Sequence, residues 1–233
     1  MIKKFELDLS SKITILGVEL FRIKALISFG NVKEGELGGY VEKEDNLSHS
    51  GNAWVYGNAR VYGNARVYGN ARVYGNAWVY GNARVYGDAE VYGNAWVYGN
   101  AWVYGDAEVY GNAWVYGNAW VYGDAEVYGN AWVYGNAWVY GNARVYDDAW
   151  VYGNAWVYGN AEVSELNDYI LFKNTWSSGR YFTYTKSNKM WKVGCFYGTG
   201  EELIKKAYED SEVSGKHYEA YVNFVKTLEA LDN

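Results

Sequence analysis

Histidine, cysteine and long apolar runs are scarce in this chain of 233 residues, and each scarcity removes a class of function. A lone cysteine, Cys195, excludes an intramolecular disulfide. With two histidines, His49 and His217, there is no Cys/His set at metal-ligand spacing, so no metal is expected. Half of the residues are hydrophobic, yet no run approaches the ~18 apolar residues of a membrane span, so no membrane partner is expected. Phosphate-binding glycine loops and acid pairs beside a recess are absent as well. A formal net charge of −6 argues against binding nucleic-acid backbones. The first residues, Met1-Ile2-Lys3-Lys4-Phe5-Glu6-Leu7-Asp8, put charges where a secretory peptide needs its apolar region, and a cytoplasmic location is expected.

What the chain has instead is aromatic residues, 19% of the total, and one six-residue rule. From Gly51 to Glu162 almost every residue obeys Gly, Asn or Asp, Ala, a variable residue, Val, Tyr, in nineteen units, with Asp147 once replacing the glycine. In extended backbone, Trp54 and Tyr56 of a unit point one way and Ala53 and Val55 the other. One face is thin and aliphatic and the other is aromatic.

A strand-and-turn hexad suits either an antiparallel meander with Gly-Asn hairpin turns, in which chemistry recurs every second unit, or a three-sided parallel β-helix, in which it recurs every third. The variable residues decide. From Glu90 they read Glu90, Trp96, Trp102, Glu108, Trp114, Trp120, Glu126, Trp132, Trp138, Arg144, Trp150, Trp156, Glu162. One column is therefore Trp54, Arg72, Glu90, Glu108, Glu126, Arg144 and Glu162, while the other two are nearly pure tryptophan; Asp88, Asp106 and Asp124 also fall in the charged column. A meander gives no reason for a period of three. The fold class expected is an all-β solenoid, a three-sided parallel β-helix with 18 residues per coil, about six coils and roughly 30 Å tall, with a cap at each end.

The frame Val-Tyr-Gly-Asn-Ala-Trp resembles the hexapeptide-repeat family, whose left-handed parallel β-helix is built on an aliphatic residue, a following glycine, two free positions and a small residue. Tyrosine where that family commonly has a small residue is a departure that adds a ring to every outward strand. The lead-in segment, Asn31-Val32-Lys33 through Gly38-Gly39-Tyr40-Val41 to Asn46-Leu47-Ser48, with Gly194-Cys195-Phe196 and Gly198-Thr199 in the tail, is similar to a group of bacterial and phage proteins of this type, some labelled transferases on fold alone. The resemblance implies a left-handed coil and, for the acyltransferases, a histidine base between neighbouring coils. Neither His49 nor His217 lies in the clean repeats, so no catalytic residue and no cofactor are expected.

Three segments follow: an N-terminal β cap over 1–38, the β-helix over 39–163, and a C-terminal α+β capping module over 164–233. Residues 3–28 alternate as two or three short strands with a turn at Gly17. Val41, Leu47 and Ala53 lie six apart, which places the start of the first coil near Gly39. Beyond Val163, strands are expected over 169–173, 180–185 and 189–196. The capping box Thr199-Gly200-Glu201-Glu202 opens a helix to about residue 209. A second helix, from about Gly215, carries Tyr218, Tyr221, Val222, Val225, Leu228 and Leu231 on one stripe. Cys195 is expected to be a small buried packing residue.

The candidate functional surface is aromatic. Trp78, Trp96, Trp114, Trp132 and Trp150 make one column and Trp102, Trp120, Trp138 and Trp156 another, beside Tyr98, Tyr104, Tyr116, Tyr122, Tyr134 and Tyr140. An exposed patch of that size fits self-association into a homo-oligomer through the aromatic faces. Alternatives are stacking of glycans, nucleotides or other planar small-molecule ligands, and an acyltransferase-like protein that has lost or relocated its site. The rings also stabilise the coil by stacking up each column. Arg60, Arg66, Arg72 and Arg84 form a basic collar at one end, either a candidate anion site or a solubilising rim. Glu90, Glu108 and Glu126 with the three aspartates read as a solvated face.

Overall fold

The computed structural model describes residues 2–231, and the chain divides into two compact units, Met1–Leu166 and Asn167–Asn233. In the first unit each hexad contributes a short strand between Gly-Asn turns, two residues in Trp96–Val97 and four in Trp102–Gly105. These strands pair in parallel with their counterparts one coil away: Trp96 with Trp78 and Trp114, and Val97 with Val79 and Val115. That pairing excludes the meander and gives a solenoid of three parallel sheets with 18 residues per coil. The count is about seven coils rather than six, because the lead-in segment supplies a rung: Leu37–Val41 pairs in parallel with Arg60–Val61.

Each coil hydrogen-bonds to the next through a repeated set of amides. Trp96 N–H donates to Ala113 O at 2.9 Å, Tyr98 N–H to Val115 O at 3.0 Å and Asn100 N–H to Gly117 O at 2.7 Å. Inside, alanine and valine from Ala53 to Val163 are fully buried. The glycine is required by both conformation and space. Gly99 has φ +69°, and a Cβ there would lie 3.0 Å from the nitrogen of Gly117 in the next coil. The asparagine after it links coils sideways, Asn100 Nδ2 donating to Asn118 Oδ1 at 3.0 Å. Where Asp147 replaces the glycine it keeps the left-handed conformation, φ +51°, so the expected irregularity is a strained residue in an unbroken turn.

The N-terminal segment forms two strands, Phe5–Ile15 and Val18–Ala25, an antiparallel hairpin that turns at Leu16-Gly17 and extends the first sheet through Leu37–Val41. The hexad phase read from Val41, Leu47 and Ala53 does not hold. Val41 pairs with Val61 and Leu47 bridges to Val67, twenty residues on, whereas Trp54 pairs with Arg72 eighteen on. Two extra residues therefore lie between Leu47 and Trp54, and Leu47 occupies a valine position.

The carbonyls that a preceding coil would satisfy are taken by side chains. Lys4, 2% exposed, donates through Nζ to Ala53 O at 2.8 Å and Gly51 O at 3.3 Å. Asn46, fully buried, donates through Nδ2 to Ala65 O at 2.8 Å and Gly63 O at 3.2 Å. Lys4 also sits 4.5 Å from the ring centre of Phe29, and burial lowers its pKa to about 8. Trp54 departs from the other tryptophans of the coils: it is fully buried, edge-on to Phe5 and Phe29 at 6.1 and 5.4 Å.

In the second unit four antiparallel strands, Tyr169–Lys173, Tyr181–Thr185, Met190–Val193 and Phe196–Gly198, precede helices α1 (Gly200–Asp210) and α2 (Glu212–Leu231). The strand expected over 189–196 is a hairpin, because Gly194 adopts φ +55° and turns the chain. Cys195 lies in that turn and is exposed, not buried. The capping box is present: Glu202 N–H donates to Thr199 Oγ1 at 3.3 Å and Thr199 N–H to Glu202 at 2.8 Å. Phe182, Tyr184, Trp191, Val193, Leu203, Val222 and Val225 form this unit's core. Tyr218 and Tyr221 pack against it, whereas Leu231, expected on the same stripe, is 76% exposed.

Candidate functional site on the solenoid faces

The two tryptophan columns are continuous stacks. Trp78, Trp96, Trp114, Trp132 and Trp150 follow one another at 5.0–5.4 Å between ring centres. Trp102, Trp120, Trp138 and Trp156 do so at 4.9 Å. The tyrosines stack in parallel: Tyr98, Tyr116 and Tyr134 at 4.9–5.0 Å, and Tyr104, Tyr122 and Tyr140 at 4.8 Å. Columns interlock, since Tyr80, Tyr98 and Tyr116 on one face and Tyr86, Tyr104 and Tyr122 on the other meet the tryptophan of the next coil edge-on, as Tyr98 meets Trp114 at 6.2 Å and 75°.

This geometry reduces the open aromatic surface expected from the sequence. Ring planes run across the column, so each ring covers its neighbour's face and only edges reach solvent. Trp150 and Tyr152 are exposed at 45% and 38%, while the other ladder rings named here are half-buried. A planar ligand has no free π-face to lie on within the stacks. Burial pushes the phenols of Tyr80, Tyr86 and Tyr104 up to about 12 and raises those of Tyr98, Tyr116, Tyr122 and Tyr134.

The charged column satisfies itself. Arg72 pairs with Glu90, and Arg144 lies 3.3 Å from Glu126 and 3.9 Å from Glu162. Tyrosine hydroxyls from the preceding coil donate to three of the glutamates: Tyr74 to Glu90 at 2.6 Å, Tyr92 to Glu108 at 2.7 Å and Tyr110 to Glu126 at 2.9 Å. Burial, and then the carboxylate partner, raise these phenols. Asp88 accepts from Asn70 Nδ2 at 3.1 Å, so the aspartate column joins the asparagine ladder. The sequence reading missed these pairs, although tyrosine sixteen residues before glutamate in an 18-residue coil is a readable signal.

Seven stretches, residues 53–67, 65–81, 77–91, 89–105, 107–123, 125–141 and 137–153, match a family model described as YdcK Beta solenoid repeat. The coils of this chain are similar to that repeat, and the first unit is a β-solenoid. All the matched stretches lie within the coils, and the match attaches neither the hexapeptide-repeat label nor a transferase activity to them. No curated protein matches the chain.

On this β-solenoid the collar arginines do not converge. Arg60 lies on the first tryptophan face, its guanidinium carbon 4.8 Å from the ring centre of Trp78. Arg84 stands in the same relation to Trp102 at 4.7 Å, so each tryptophan stack ends on a cation. Arg72 is on the charged face, and only Arg66 and Arg84 are brought together, as register partners on the second tryptophan face. His49 stacks on Phe5 at 4.3 Å and its Nδ1 accepts the Lys4 N–H at 3.2 Å. In the second unit, His217 stacks on Trp176 at 3.8 Å.

Proposed function

We propose that this chain is a non-enzymatic structural protein whose two tryptophan faces pack against a second copy of itself. The observation that carries the reading is the segregation of charge. From Trp96 to Trp138 the variable positions of both faces hold only tryptophan, and every glutamate stands on the third face. Interface cores are depleted of charge and enriched in Trp and Tyr, and half-buried ring edges in a flat register offer a repeating surface for another of the same kind. Covered ring faces weigh against the alternative of planar-ligand stacking. Both histidines make ring-stacking contacts outside the repeats, which favours a scaffold over an acyltransferase with a displaced base.

Mass from light scattering, followed over about a hundredfold range of concentration, tests this. Growth with concentration is expected, with the Trp96, Trp114 and Trp132 to Ser triple variant staying smaller while near-ultraviolet circular dichroism reports a folded core. A parent protein that is monomeric throughout overturns the reading.

A further inference from the structure

Beyond self-association, we propose that the recess at the N-terminal end of the second tryptophan face binds an oxyanion between Arg66 and Arg84, within a small molecule that carries a phosphate or carboxylate group. The two arginines are register partners on adjacent parallel strands, so their side chains leave the same face about 4.8 Å apart at the backbone. Like charges at paired positions repel, and neither arginine has an ion-pair partner among the described residues. The other paired arginines of the coils show the contrast: Arg72 has Glu90, and Arg144 has Glu126 and Glu162. Arg84 is held by its stacking on Trp102, which leaves the guanidinium edge free to donate.

These arginines line a recess of about 500 Å³ together with Ser48, His49 and Tyr68, a volume suited to a small molecule. Two guanidinium groups one strand apart can donate to different oxygens of a single oxyanion, and a hydroxyl supplies a further donor. Acidic groups border the site. Glu44 is occupied by Lys3 at 2.7 Å and faces His49 at 3.5 Å, so its charge is largely met; Asp45 marks the wall away from which the anion sits.

Titrating inorganic phosphate and, separately, acetate into the whole chain at constant ionic strength tests the site by calorimetry and by tryptophan emission, since Trp102 backs Arg84. Saturable one-site binding of either anion is expected; both binding means that the site reads charge, and phosphate alone means that it reads a tetrahedral group. Arg66→Gln should weaken binding about tenfold or more, as loss of a charged hydrogen bond does, and Arg144→Gln should leave it unchanged. Arg66 caps no ring stack, so its variant keeps the fold even if Arg84→Gln does not. Phosphate should raise the melting temperature of the parent but not of Arg66→Gln, which should itself melt higher than the parent in low-salt, phosphate-free buffer. Absence of saturable binding by both anions, or equal weakening in Arg144→Gln, overturns the proposal.

Discussion

The charged face and the tryptophan faces share a backbone, an interior of alanine and valine, and a tyrosine in every strand; they differ at the variable residue and, at Asp88, Asp106 and Asp124, in the residue after the glycine. On the charged face that residue finds its partner in the protein, through an arginine one coil away or a tyrosine hydroxyl sixteen residues back. On the tryptophan faces the residue finds a copy of itself, and stacking covers the ring faces but not the edges. Polar groups can be saturated within one chain because a hydrogen bond has a defined number of partners. An aromatic column leaves its outer rim unmatched however long it grows, and the proposed self-association rests on that difference.

Alkaline pH should have the largest effect and should strike all faces together. The ladder phenols sit above the ordinary value of 10.0 because burial favours the neutral form. A raised folded pKa gives stability that is present below pH 10 and lost as pH rises through the folded values. Unfolding should therefore set in above about pH 10, with phenolate absorbance and loss of near-ultraviolet circular dichroism appearing in one transition. Independent ionisation of tyrosines in a folded chain would break the picture of a buried ladder.

Next in size, Trp114→Ser removes stacking on Trp96 and Trp132 and the edge contact with Tyr98. At roughly 0.5–1.5 kcal/mol per ring contact, urea unfolding should show a loss of about 2–4 kcal/mol. A loss below about 1 kcal/mol would mean that the stack adds little to the fold, and that the tryptophans serve the outer surface alone.

Asp147→Gly is smaller and touches no face. Relief of the left-handed conformation at φ +51° should stabilise by about 1 kcal/mol in the same assay. On the charged face, Glu108→Gln removes the middle of three carboxylates in register with Glu90 and Glu126 while keeping an oxygen for the Tyr92 hydroxyl. A gain of about 0.2–1 kcal/mol at low salt, vanishing as salt screens the charges, is expected. A loss would show that the column needs its full charge.

Much of the fold was legible because the solenoid translates one unit along an axis, so a sequence period of three hexads becomes a spatial column. The partition of Trp and Glu among faces, the buried Ala and Val, and the glycine turns all follow from that rule. The lead-in coil escaped it: the two-residue slip after Leu47 is invisible when Val41, Leu47 and Ala53 happen to lie six apart. Cys195 and the strand around it were misplaced because a glycine turn cut one apolar stretch into a hairpin.

By itself the sequence determined the register, the three faces and the chemistry that each carries, since these depend on contacts repeated at a constant spacing of 18 residues. Only the tertiary structure decided how the rings orient, that Lys4 and Asn46 close the first coil, and that Arg60 and Arg84 stack on the tryptophans below them. Lys4 reaches Ala53 across 49 residues outside any period, and the tilt of an indole depends on what lies above and below it. Such contacts are fixed by packing in space, where no repeat in the chain records them.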